Sequence, residues 1–152
     1  MFVKREIHII CLLLFHLCVY AGDKVVKIAC VGNSITYGAR LKNPSKDSYP
    51  GVLEQMLGKG YDVRNFGVSA RTMLNKGDHP YMKEKKYKDA LDFNPDIVII
   101  KLGTNDSKPI NWVYKSDFMN DTELLINSFK SLSSNPELFC ACLFRQYLMV
   151  RI

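Results

Sequence analysis

The chain has 152 residues, 21 Lys plus Arg against 15 Asp plus Glu, and a formal charge of +6. Apolar residues at 47% and charged residues at 24% exclude a disordered chain, a collagen and a coiled coil. The length suits one domain rather than two.

Residues 1–21 read as a secretory signal peptide. Lys4 and Arg5 make a short basic start, and the run from Ile7 to Tyr20 is apolar apart from His8 and His16. Val19-Tyr20-Ala21 then offers cleavage positions ahead of Gly22 and Asp23. A membrane anchor is the alternative, but about 14 apolar residues fall short of the roughly 20 that a spanning helix requires. Cys11 and Cys18 lack the small residues that usually precede a lipidated cysteine. The expected location is secreted or periplasmic, without stable membrane insertion.

Residues 25–31 are short, β-branched and closed by Gly32, and predict a first strand. Tyr49, Val52, Leu53, Met56 and Leu57 recur at helical spacing, with Gly58 as a stop. Residues 61–68 alternate more weakly, end in a Gly/Ser stretch and predict a second strand. A mixed helix over 81–91 follows. Residues 96–102, between Asn94-Pro95 and Gly103, are the strongest strand, and near-continuous apolar runs of this length fit burial on both faces. Phe118, Leu125, Phe129 and Leu132 line one face of a helix over 116–132, which Asn135-Pro136 closes. Residues 137–144 predict a fourth strand. This alternation gives an α/β chain with a parallel sheet covered by helices on both faces.

From Leu138 onward the sequence changes character and carries no helix or turn signal. The domain is expected over 22–137, with 138–152 an atypical tail of the kind a frameshift leaves and the carboxyl-terminal part of the sheet missing. The basic run Lys83-Glu84-Lys85-Lys86-Tyr87-Lys88 reads as a solvated helix face, and no aromatic-interleaved stripe points to nucleic acid. Cys30, Cys140 and Cys142 lack zinc-ligand spacing, and no metal or cofactor is expected.

In open parallel sheets ligands bind beyond the carboxyl ends of the strands. Three polar segments should meet there: Gly32-Asn33-Ser34-Ile35-Thr36, Gly67-Val68-Ser69-Ala70-Arg71-Thr72 and Gly103-Thr104-Asn105-Asp106. Ser34 lies two residues past the glycine closing a buried strand, with its backbone N–H near a helix start where anions are stabilised. That suits a nucleophile whose own amide helps hold an oxyanion. Taken alone, it reads first as a loop serine capping a helix. Asn105 taken alone is a turn residue, yet its neutral amide can donate to a developing negative oxygen. The backbone N–H of Ala70 offers a third donor. A phosphate loop is excluded, because Ala39-Arg40 stand where Lys-Ser/Thr would be required.

These three segments, in this order, resemble the blocks of the SGNH (GDSL-type) hydrolases, secreted serine esterases on a flavodoxin-like three-layer α/β/α sheet. The resemblance runs over about residues 25 to 136. It implies Ser34 as nucleophile and first oxyanion donor, Asn105 as side-chain donor, and Ala70 where the family usually carries an oxyanion glycine. Two departures are mild. Asn33 replaces a common Asp but keeps a polar side chain to bond the loop, and Ala70 narrows the pocket and excludes some positive-φ conformations. The third is severe: the family's Asp-x-x-His segment, which provides the general base, has no counterpart here. The histidine outside the signal region is His79, in Gly77-Asp78-His79-Pro80, which reads as a surface-loop residue.

The resemblance implies a serine ester hydrolase that removes acetyl or other short acyl groups, with carbohydrate as the preferred substrate and no cofactor. Lysophospholipid or thioester is the alternative substrate class. Trp112 could stack on a sugar ring or pack at the core or rim. Without its base the chain is expected to be impaired, and the competing function is an inactive fragment or a binding module. Oligomeric state is not legible.

Overall fold

The computed structural model describes residues 24–141 and 150–151. The signal peptide read over 1–21 and the tail residues 142–149 lie outside the described residues.

Four parallel strands, β1 (Val26–Gly32), β2 (Tyr61–Gly67), β3 (Ile97–Lys101) and β4 (Glu137–Cys140), form a sheet in the order β2-β1-β3-β4. A two-residue strand, β5 (Val150–Arg151), pairs antiparallel with β4, Phe139 opposite Arg151 and Cys140 opposite Val150. The expected parallel sheet is formed by the four strands and gains a short antiparallel edge, and the fourth strand is shorter than 137–144. The change of character at Leu138 falls inside β4, where Leu138 is fully buried.

Among the described residues six helices accompany the strands: α1 (Ser34–Tyr37), α2 (Pro44–Asp47), α3 (Tyr49–Leu57), α4 (Lys85–Asp92), α5 (Pro109–Trp112) and α6 (Phe118–Lys130). Gly58 ends α3 at φ 74°, a left-handed conformation that glycine adopts without a Cβ penalty. The helix expected over 81–91 is broken into a 3-10 turn at Tyr81–Lys83 and then α4. Glu84 between them is extended, and its carboxylate is bound by Arg71 at 2.7 Å. That ion pair holds the residue out of helical geometry. The helix expected over 116–132 starts later because Lys115–Asp117 forms another 3-10 turn.

The side chains of each strand alternate between two cores. Ala29 and Val31 of β1 and Val98 and Ile100 of β3 face Ala90, Leu125 and Phe129 of the helices on one side. Ile28, Cys30 and Val63 face Tyr49 and Leu53 of α3 on the other. Val98, Ile100 and Leu102 are almost wholly buried, each contributing on the order of 1.5–3 kcal/mol of transfer free energy. With β2 on one side of β1 and β3 on the other, the order of connection reverses between β1 and β3. A crevice opens at their carboxyl ends, where such sheets place ligands.

Candidate active site

The strand ends lie level, Gly32 opposite both Gly67 and Lys101. Close approach explains the two glycines. A Cβ on Gly32 would run into the Thr36 side chain and the Lys101 carbonyl, and one on Gly67 into the backbone of Tyr37. The turn of α1 thus sits directly on the ends of β1 and β2, and Val68 N–H donates to the Gly32 carbonyl at 3.0 Å.

The capping role expected of Ser34 belongs to Asn33. Its Oδ1 accepts from Ile35 N–H at 3.1 Å, and its Nδ2 donates to Thr104 Oγ1 at 2.8 Å, so this fully buried amide ties the β1 loop to the β3 loop. Ser34 is the first residue of α1 and half-buried. Its hydroxyl has no hydrogen-bond partner among the described residues. A serine released from capping is available to act on something else.

On the β2 side, Ala70 takes φ 68°. The alanine was expected to exclude such conformations, but it adopts one, and the strain is held by its neighbours. The Arg71 guanidinium donates to the Ser69 carbonyl at 2.9 Å and to Glu84 at 2.8 Å. Asn105 Nδ2 donates to the Arg71 carbonyl at 3.0 Å. That bond uses one amide hydrogen of Asn105 and leaves the second available. Ahead of it, Gly103 turns the chain off β3 at φ 106°.

Three residues that sequence reasoning missed organise the same segment. Asp106, fully buried, accepts from Met73 N–H at 3.0 Å and Leu74 N–H at 2.7 Å. Burial pushes its carboxyl above the ordinary value, and the two backbone donors pull in the opposite direction. Asn111, also fully buried, donates to the Asn105 carbonyl at 2.8 Å and exchanges bonds with Asp78. Asp121 of α6 accepts from the backbone and side-chain N–H groups of Asn75, both at 2.8 Å. Asn111 reaches Asp78 across 33 positions of sequence and Asp121 reaches Asn75 across 46, beyond any local pattern.

His79 is exposed, and its backbone carbonyl accepts from Thr72 N–H at 2.9 Å. Among the described residues no hydrogen bond joins a histidine to Ser34. Trp112 packs against the core margin, its ring 6.4 Å from that of Phe118 and at 66° to it. The described residues hold no group of three or more His, Cys, Asp or Glu placed to bind a metal.

A family model described as the GDSL-like lipase/acylhydrolase family matches residues 30–145. An acetylxylan esterase of Xylanibacter ruminicola is 54% identical over 114 residues, which is 75% of this chain and 24% of that protein. The chain thus spans about a quarter of that relative's length. Among solved structures, an inhibitor-bound aryl esterase of M. smegmatis superposes with a TM-score of 0.60 at 23% identity, over 76% of this chain and 62% of that one. The carbohydrate acetylesterase Est24 of Sinorhizobium meliloti gives 0.59 at 23% over the same shares. A two-domain esterase active on acetylated mannans gives 0.60 at 22%, over 78% of this chain and 30% of that one. At these identities the structural likenesses speak for the flavodoxin-like α/β fold.

Proposed function

The chain belongs to the GDSL-like lipase/acylhydrolase family, the SGNH hydrolases, and from that premise we propose that it is a serine ester hydrolase acting through Ser34. The observation that supports this reading is the uncommitted hydroxyl of Ser34 just past β1, whose end lies level with the ends of β2 and β3, the strands that lead to Ala70 and Asn105. Ser34 Oγ attacks the ester carbonyl, its proton passing to a base in solution and from there to the leaving alcohol. The resulting oxyanion is held by the N–H groups of Ser34 and Ala70 and by the second amide hydrogen of Asn105. The alcohol leaves, and water then cleaves the acyl-serine bond. Each donor of this kind is worth about 3–4 kcal/mol of transition-state stabilisation.

The acyl group is acetyl or similarly short, and the alcohol part belongs to a carbohydrate. The 54% identity with an acetylxylan esterase favours that substrate class. Residues 1–21 act as a signal peptide, and the activity belongs outside the cytoplasm. No helix among the described residues is long and apolar enough to cross a membrane.

The test is release of acetate from acetylated xylan, compared with long-chain nitrophenyl esters. Imidazole is included as a mobile base, because no described histidine is bonded to Ser34. Release that exceeds that of Ser34→Ala supports the reading. Equal release from both proteins, or cleavage confined to long acyl chains, overturns it.

A further inference from the structure

Asn105 and Asp106 are adjacent residues that grip the same segment at two points. Asn105 holds the Arg71 carbonyl, and Asp106 holds the N–H groups of Met73 and Leu74. Asn111 secures the grip from behind. Its Nδ2 donates to the backbone carbonyl of Asn105, and its Oδ1 accepts from Asp78 N–H at 2.8 Å. The clamped segment begins beside Ala70, whose left-handed backbone is strained in a non-glycine residue and persists only if its surroundings impose it. The local bonds around Ala70 come from Arg71, and the Arg71 carbonyl is itself a partner of Asn105.

We infer that Asp106 and Asn111 are positioning residues of the Ser34 site. They act through the 70–74 turn and the Asn105 amide, and so aim two of the three proposed oxyanion donors. The inference rests on the assignment of Ser34, Ala70 and Asn105 made above. Both residues are fully buried, so they touch no substrate, and their side-chain hydrogen bonds go to Met73, Leu74 and Asp78 of the segment that follows Ala70 and to the Asn105 carbonyl. Asp106→Asn keeps one acceptor but turns an NH2 group towards the second backbone N–H. Asn111→Asp keeps the acceptor for Asp78 N–H but loses the donor to the Asn105 carbonyl and sets a second carboxylate beside Asp78. Each change shifts the donors with little change of side-chain volume. Misplacement by about 1 Å in such a site costs on the order of 100-fold in rate.

Asp121→Asn is the control. It weakens the hold on Asn75 at the far end of the same segment, with no contact to Ala70 or Asn105. Two measurements are made on the full chain. The first is NMR of the Asn105 side-chain amide and the Ala70 backbone coupling that reports φ. The second is the rate at which a fluorophosphonate modifies Ser34, read by intact mass at a temperature where all variants are folded. Asp106→Asn and Asn111→Asp should shift the Asn105 amide signals and slow modification by about 10- to 100-fold, while Asp121→Asn lowers stability and leaves both readouts near wild type. Unchanged Asn105 and Ala70 signals in both variants overturn the inference, as does a slowing in Asp121→Asn equal to theirs. Should the unmodified sequence fail to react at Ser34, the assignment of the nucleophile fails instead. The NMR arm then still decides whether Asp106 and Asn111 set the donor geometry.

Discussion

Replacing Ala70 by glycine reads out the backbone strain at the site. Alanine at φ 68° carries a penalty of roughly 1–2 kcal/mol that glycine does not. Against that relief, glycine adds about 0.4–1 kcal/mol of unfolded-chain entropy. Loss of a half-buried methyl costs a further part of the ~0.8 kcal/mol assigned to a fully buried one. At their midpoints these terms leave about 0.4 kcal/mol of stabilisation, within limits of roughly 0.4 kcal/mol lost and 1.2 kcal/mol gained. Ala39 supplies the comparison, being exposed and not among the positive-φ residues. There no strain is relieved, and Ala39→Gly should lose about 0.4–1 kcal/mol. Urea denaturation of both variants at pH 7 measures the contrast. Equal destabilisation of Ala70→Gly and Ala39→Gly would refute the left-handed geometry at residue 70 and the argument that neighbouring bonds hold it there.

Two further outcomes test other parts of the site and fold. Asn105→Ala removes a proposed oxyanion donor and leaves the Arg71 carbonyl without its partner, so ester turnover should fall by about 100- to 1,000-fold with little change in KM. A rise in KM at constant kcat would assign Asn105 to substrate binding instead. Asp96 is held below its ordinary carboxylate range of 3.8 by Lys24 at 2.6 Å and by the Lys27 N–H at 2.9 Å. A depressed folded value stabilises the protein above the unfolded value, and that contribution is lost as pH falls through the folded one. Asp96→Asn should therefore lower the urea midpoint by a constant amount between pH 5 and 8, with the difference closing below about pH 4. A difference that grows on acidification contradicts the assignment.

The strands were legible because a buried parallel strand must be apolar nearly throughout, as residues 26–32 and 97–101 are. Gly58 marked the end of α3 because a left-handed terminus selects glycine. Ser34, Ala70 and Asn105 could be singled out because each follows a strand end within a few residues, and strand ends converge. What resisted reading depends on partners far along the chain. The break at Glu84 comes from an ion pair with Arg71, and the burial of Asp106 from backbone donors at Met73 and Leu74. Ser34 reads alone as the cap, yet Asn33 takes that role, its Oδ1 accepting from Ile35 N–H while Thr104, in the loop after β3, accepts from its amide. The antiparallel β5 was illegible for a similar reason: two residues carry no period, and their pairing is set by the open edge of β4.

Ser34 is proposed as a nucleophile facing an oxyanion hole. The most direct test of that role is treatment of the full chain with a fluorophosphonate, followed by mass mapping of the modified peptide. A single adduct on Ser34 that disappears in Ser34→Ala and forms more slowly in Asn105→Ala is the predicted result. An adduct on another residue, or none on Ser34 in the folded protein with imidazole present, would contradict it.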